Sequence, residues 1–369
     1  MLAPHPRPPA PPQVVVLGMH RSGTSVLTGL LRLLGLWAGE ADDFPPADDH
    51  NQAGYWEHRG VWSVDEAILQ ALAATWSEIA NLDLSRLDEE QRAEFRERAR
   101  EIVRILDPHG AWVIKDPRLC LLFPFWREIL VHPLCVLIYR EPLPVARSLA
   151  ARDGISIPYG MALWERYTRE ALASTLGLPR ILVSHRELMA DPESVLRRLH
   201  RNLLQLGGPE LARFSLPTAE EIHAVVDPAL VHHPHEPEGQ RLFLNSPQID
   251  LLEALRDGTA LDLDPVPPLS AGARDLLAAH QRLRAMTRDL LTAHQSLRAT
   301  THHLHQALGW LDELDAIVSA ILTSRSWRIG RALTSAMRGL LERPRISAAE
   351  RRDRLMAEVR HRRREEAEK

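Results

Sequence analysis

Three observations predict an α/β protein whose parallel sheet is covered by helices on both faces. Four short apolar stretches rich in β-branched residues have the composition of buried strands: Gln13-Val-Val-Val-Leu-Gly18, Ala111-Trp-Val-Ile-Lys115, Leu134-Cys-Val-Leu-Ile-Tyr139 and Arg180-Ile-Leu-Val-Ser184. Segments with helical apolar spacing separate them, and strands that alternate with helices pair in parallel. A glycine-bounded turn joins the first strand to the first helix, the place where such sheets gather ligands.

The elements follow in order. Residues 4–12 hold six prolines in nine positions, too many for helix or sheet, so 1–12 is expected to be an extended, disordered leader. Helices are expected from Ser25 to Leu36, Val61 to Ile79 and Asp88 to Leu106, and then, past the middle strands, from Pro144 to Ala151 and Met161 to Leu176. Asp191-Pro192 opens a further helix to Leu206. From Pro217 to Pro268 prolines and histidines scatter, which reads as the close of a domain over 13–258 and a linker over 259–269.

Beyond the linker the character changes. Leu276, Leu283, Leu290, Leu297, Leu304, Leu311 and Val318 fall at seven-residue intervals, and the stretch Asp275 to Ala285 is echoed from Asp289 to Ala299. Such a period keeps its stripe on one side only if the helix supercoils against a partner. Residues 270–323 therefore read as a heptad-repeat helix, either in a parallel homodimer or packed on its own domain, with weak companion positions at Ala279, Met286, Ala293 and Thr300. The tail, 324–369, carries 14 basic and 7 acidic residues, and Ile329, Leu333, Met337 and Leu340 share a helical face opposite Arg328, Arg331 and Arg338. A basic amphipathic helix edged by Trp327 suits an anionic membrane surface; the plainer reading is a solvated helix docked on a neighbour.

Composition narrows the class. With 369 residues, 45% hydrophobic and 25% charged, the chain can bury one large core or two modest ones, which excludes disordered and fibrous proteins. No apolar run reaches the roughly 18 residues of a membrane span, and the start shows no signal core, so a soluble or peripheral protein is expected, in the cytoplasm or at the inner membrane face. Cys120 and Cys135 sit in apolar stretches and read as reduced, buried thiols. Of 45 basic residues, 43 are arginine; lysine occurs at 115 and 369 alone. Against that background Lys115 is a position that requires explanation.

The chemistry starts at Gly18-Met-His-Arg-Ser-Gly-Thr-Ser25. A strand-to-helix turn of this kind points backbone N–H groups and the positive end of a helix dipole at one spot, which suits phosphate. The spacing is P-loop-like, but Thr24 stands where a nucleotide triphosphatase has lysine, and no strand ends in a magnesium-binding aspartate. A triphosphate fits poorly, and no metal is expected.

At these residues the sequence resembles the sulfotransferases that use 3′-phosphoadenosine 5′-phosphosulfate (PAPS). Arg21-Ser-Gly-Thr-Ser25 is similar to their 5′-phosphosulfate loop. In Tyr139-Arg-Glu-Pro-Leu-Pro-Val-Ala-Arg-Ser148, Arg140 and Ser148 match the spacing of the 3′-phosphate motif, and Val183-Ser-His-Arg-Glu-Leu-Met-Ala-Asp-Pro192 resembles the strand and turn that follow. The likeness spans residues 13 to 206, and Val226-Asp-Pro-Ala-Leu-Val-His-His233 looks like the closing segment. It implies PAPS as donor co-substrate, held by His20, Arg21, Ser22, Gly23, Thr24 and Ser25 at one end and by Arg140 and Ser148 at the other. The physical reading agrees: PAPS carries two separated anionic ends, and a guanidinium grips phosphate through paired hydrogen bonds.

Lys115-Asp-Pro-Arg118 ends a strand at the same sheet edge and resembles the motif of protein-tyrosine and bacterial sulfotransferases, whose lysine lies near the transferring group. A compact ammonium can sit on a bridging oxygen where a planar guanidinium cannot. Arg118 is a candidate for sulfuryl oxygens or an acidic acceptor, or for simple pairing with Asp116. A hydroxyl acceptor needs a base. Glu57, in Asn51-Gln-Ala-Gly-Tyr-Trp-Glu-His58, is the first choice, with His58 as alternative although Arg59 disfavours its protonation; His232 and His233 are further candidates near the acceptor. The late Arg-Lys-Gly segment of the cytosolic branch is missing, which brings the chain nearer the glycan and bacterial branches. Thr323-Ser-Arg-Ser-Trp-Arg-Ile-Gly330 resembles a tail of bacterial surface-glycan enzymes, so the expected acceptor is a carbohydrate of a cell-surface glycan or its precursor. No nucleic acid is expected as partner. The competing readings are a P-loop kinase or other nucleotide phosphotransferase and a non-catalytic scaffold.

Overall fold

The computed structural model describes residues 11–46, 56–226, 243–338 and 347–367. The chain forms two compact units, Met1–Arg284 and Ala285–Lys369. Four parallel strands, β1 (Gln13–Leu17), β2 (Trp112–Lys115), β3 (Pro133–Tyr139) and β4 (Arg180–Ser184), lie in the order β2-β1-β3-β4. The first three are buried throughout, as strands covered on both faces must be. Alternation sorts their side chains: Val14 and Val16 join one core with α1 (Thr24–Leu33) and α8 (Pro192–Gly207), and Val15 and Leu17 join the other. That second core holds α2 (Arg59–Ala71), α3 (Glu89–Leu106), α4 (Leu119–Arg127), α5 (Pro142–Asp153) and α6 (Ile157–Ser174). The α/β class and the parallel sheet agree with expectation.

Helix starts follow their caps. Asp88 and Gln91 form a capping box for α3, Ser184 caps α7 (His185–Ala190), Asp191 accepts from the Ser194 N–H at the head of α8, and Thr218 caps α9 (Ala219–Val225). Three expectations need correction. The helix expected over Val61 to Ile79 stops at Ala71, because Ala73 takes a left-handed φ of 51° and turns Trp76 towards the sheet edge. Residues 119–127 form a helix that the sequence pattern does not announce: apart from Pro124 nearly all are buried, so the pattern carries no helical period, and the proline argues against one. In the stretch expected to be irregular, Asn245 and Gln248 box the start of α10 (Ser246–Asp257).

The stretch expected as a linker is docked on the core. Leu261, Leu263, Val266 and Leu269 pack against it, and Arg169 donates to the carbonyls of Pro247 and Pro267, both at 2.9 Å. Buried Glu165 accepts from the Ser270 N–H and hydroxyl at 2.8 Å. Arg169 also pairs with Glu165, so a satisfied ionic cluster pins this segment. Helix α11 runs unbroken over Ala271–Thr323, and the unit boundary falls within it at Arg284 rather than at its start. The second unit continues with α12 (Arg325–Arg338) and α13 (Ala348–Ala367); within it Arg352 donates to Ser319 Oγ at 2.7 Å and lies 3.5 Å from Asp315. Among the described residues, no helix is long and apolar enough to cross a membrane. The leader to residue 10, the segment before Trp56, and His232 and His233 lie outside the described residues.

Candidate active site

The sheet gathers the candidate residues at its carboxyl edge, where each strand delivers a group: the loop 18–25 after β1, Lys115 at the end of β2, Arg140 after β3 and His185 after β4. The strand order places β1 between β2 and β3; the connection leaving β1 leads towards β2 and the one leaving β3 towards β4, so a crevice opens between the ends of β1 and β3.

The loop is held tightly. Arg21 has φ of 67° and Gly23 of 87°, two left-handed residues that curl the backbone before α1, and Ser22 N donates to Met19 O at 3.1 Å. Gly18 is required, since a Cβ there would lie 2.7 Å from the Ile138 carbonyl oxygen. Gly23 is required twice over, by its φ and because the His185 ring fills the space a Cβ would take. The hydroxyl of Ser22 and Nε2 of His20 are buried without a hydrogen-bond partner among the described residues. His20 lies 4.6 Å from the Trp76 ring and 5.8 Å from Tyr167. Burial first, then the charges of Arg118, Arg152, Lys115 and Arg21, hold its pKa well below the usual histidine value, so it is neutral.

Lys115 is 1% exposed and its ammonium donates to Glu57 Oε1 at 2.9 Å, across 58 residues of sequence. The two residues chosen separately from the sequence, one as ammonium and one as carboxylate, therefore meet. Glu57 is carried on the approach to α2, and His58, the alternative base, is spent on capping: its Nδ1 accepts from the Gly60 N–H at 3.1 Å. Burial keeps His58 neutral against the pull of Asp43. Arg59 is occupied elsewhere, donating to the carbonyls of Asp42 and Phe44.

Arg118 is committed to carboxylates. Its Nη1 contacts both oxygens of fully buried Asp116 at 3.1 Å, and Nε lies 3.2 Å from Glu66. Burial alone would lower its pKa, but Asp116 outweighs that and holds it up. The pairing with Asp116, one of the alternatives the sequence left open, is formed. Behind this pair Trp126 Nε1 donates to Asp65 at 2.7 Å; burial and then the charge of Asp116 push the Asp65 pKa well above the carboxylate range. This buried scaffold fixes the turn that carries Lys115.

A second, cationic pole is assembled from three elements. Arg21 Nε donates to Ser148 Oγ at 2.8 Å, Arg140 donates to the Arg21 carbonyl at 3.1 Å, and Trp164 Nε1 donates to the Arg140 carbonyl at 2.9 Å. Arg140 and Ser148 thus stand beside the loop rather than apart from it. Burial, and then the neighbouring charge of Arg21, lower the Arg140 pKa to about 10. At His185 burial, and then Arg140, push the pKa down to about 3. Its signal was available, because it follows a strand end just as the other candidates do. Trp76 and Tyr167 carried no such signal, since nothing local distinguishes them from core aromatics.

The loop, the buried cations and the neutral imidazoles gather at the carboxyl edge of the sheet, an arrangement suited to an oxyanion group beside a carboxylate–ammonium pair. Among solved structures the chain is similar to the sulfotransferase domain of the Synechococcus PCC 7002 olefin synthase, at 16% identity over 74% of this chain and 96% of that one, with a TM-score of 0.34. It is also similar to a sulfotransferase from Mycobacterium avium, at 20% identity over 70% of this chain and 77% of that one, with a TM-score of 0.36. No curated protein matches it. The sequence model of the sulfotransferase family matches residues 12–204, more than half of the chain and the whole sheet with its loops, and this chain belongs to the sulfotransferase family.

Proposed function

We propose that the protein transfers a sulfuryl group from PAPS to a hydroxyl of a carbohydrate, in a cell-surface glycan or its precursor, without a metal. The observation that carries the reading is the buried Lys115–Glu57 contact beside a glycine-shaped loop whose Ser22 hydroxyl is buried and unpartnered among the described residues. An unsatisfied buried hydroxyl is costly unless a ligand completes it, and an anionic oxygen would do so. The donor supplies the sulfuryl group on an anhydride oxygen.

The chain's own residues then have distinct tasks. The loop 21–25 would hold the 5′ end, and Arg140 with Ser148 the 3′-phosphate. Glu57 would accept the acceptor hydroxyl's proton. As that carboxylate is neutralised, the Lys115 ammonium is released from its partner towards charge growing on the leaving oxygen, where a preorganised cation acts most strongly. His20 and His185, kept neutral, add no repulsive proton to the crowded cations. Arg118 positions the Lys115 turn through Asp116. The carbohydrate acceptor rests on the resemblance of 323–330 to tails of surface-glycan enzymes. The basic tail supports placement at an anionic inner-membrane face: α12 carries four arginines and no acid, and Trp327 and Ile329 on it are exposed.

Radiolabelled PAPS incubated with a glycan extract tests the whole reading. Label should move to carbohydrate with intact protein and fail to do so with Glu57→Gln; transfer to protein or lipid alone would overturn the acceptor assignment.

A further inference from the structure

The seven-residue stripe of α11 has no part in sulfuryl transfer, and its middle is largely uncovered: Leu290 is 70% exposed, Leu297 65% and Leu304 46%, while Leu311 and Val318 are each 38% exposed. A contiguous apolar strip of this kind on a soluble surface marks an interaction site. In the second unit α13 lies against this helix through Arg352, which reaches Asp315 and Ser319 on the flank of the stripe and leaves Leu314 and Ile321 more than half exposed.

The period itself identifies the occupant. Straight helices drift by ~20° per heptad, so a strict seven-residue stripe stays buried only against a helix that supercoils with it. This chain carries such a helix, so a second copy supplies the partner. Orientation follows from side-chain size. The leucines stand at one core position of the heptad, and three residues on the companion position is small in the middle, at Ala293, Thr300 and Ala307, and large at the ends, at Met286, Leu314 and Ile321. In the parallel pair expected from the sequence, Ala293 would face Ala293 and Ala307 would face Ala307, layers that leave voids between leucine layers. In an antiparallel register centred on residue 302, Ala293 meets Leu311, Leu297 meets Ala307 and Leu290 meets Leu314, so each alanine is filled by a leucine.

We infer that α11 pairs with α11 of a second copy as an antiparallel coiled coil from Leu283 to Ile321. The overlap is roughly 58 Å long, and one helix width makes it on the order of 600 Å² per copy. Specific interfaces bury about 600–1,000 Å² per partner.

The full-length protein tests this. Light scattering should give the mass of two chains, and a Leu297→Asp, Leu304→Asp double variant should give that of one while still transferring sulfate. A monomeric parent, or an unchanged mass in the variant, overturns the pairing. Orientation is read by cysteine cross-linking, since Cys120 and Cys135 are both buried and do not compete. Under mild oxidation Leu283→Cys chains should cross-link to Ile321→Cys chains and not to each other. Self-linked Leu283→Cys dimers would overturn the antiparallel register.

Discussion

Lys115 is buried to 1% exposure and donates to Glu57 at 2.9 Å, so its ammonium is desolvated before any ligand arrives. If it acts on charge that develops during transfer, Lys115→Ala should lower kcat by at least ~10²-fold with little change in affinity for 3′,5′-bisphosphoadenosine. Steady-state kinetics with calorimetric titration separates the two, and an equal loss in both would reduce Lys115 to a binding role. Arg140→Ala should act in the reverse sense, weakening 3′,5′-bisphosphoadenosine roughly 10- to 100-fold. His185 gives a pH prediction whose sign is fixed by its folded-state pKa of about 3, depressed by burial and then by Arg140. The unfolded chain takes up this proton near pH 6.5 while the folded protein refuses it, so His185 contributes stability above that pH which is lost as pH falls from about 6.5 towards 3. In His185→Phe, denaturant midpoints measured across this window should decline less steeply than in the parent.

At the scale of elements, what decides the site is how strand ends and helix starts are joined. Gly23 and Gly154 both have positive φ, 87° and 67°, yet a Cβ at Gly154 would meet nothing within 4 Å while one at Gly23 would strike the His185 ring. Gly154→Ala should therefore cost about 1 kcal/mol of backbone strain and leave activity intact. Gly23→Ala should abolish donor binding as well, which thermal unfolding with and without 3′,5′-bisphosphoadenosine will distinguish. The strands were legible because each is a short β-branched run ended by a chemical residue. Helix α4 was not, since a helix buried on nearly all sides shows no period and Pro124 argues against it. Helix α2 was read too long because a single left-handed residue, Ala73, ends it, and alanine gives no warning of that conformation.

For the whole molecule, the near-neutral net charge of −4 hides a division. The tail 324–369 carries +7 and the rest −11, so charge-driven association belongs to the tail. The full-length protein should sediment with vesicles containing anionic lipid and be released as salt shortens the Debye length from ~10 Å at 0.1 M to ~3 Å at 1 M. Arg328→Gln with Arg331→Gln should weaken that binding, and binding to neutral vesicles that salt does not affect would argue against an electrostatic anchor.

The sequence by itself determined the α/β class, the four strands, the phosphate-shaped loop and the significance of the single internal lysine, because these depend on local periodicity, turn chemistry and residue choice. The tertiary structure decided which candidates meet. It joined Glu57 to Lys115, turned Arg118 inward to Asp116 and Glu66, used His58 as a cap, and brought His185 against Gly23. Those outcomes depend on distances between residues far apart in the chain, and on burial, which sets the charge state of each group. Neither quantity is written in any one stretch of sequence.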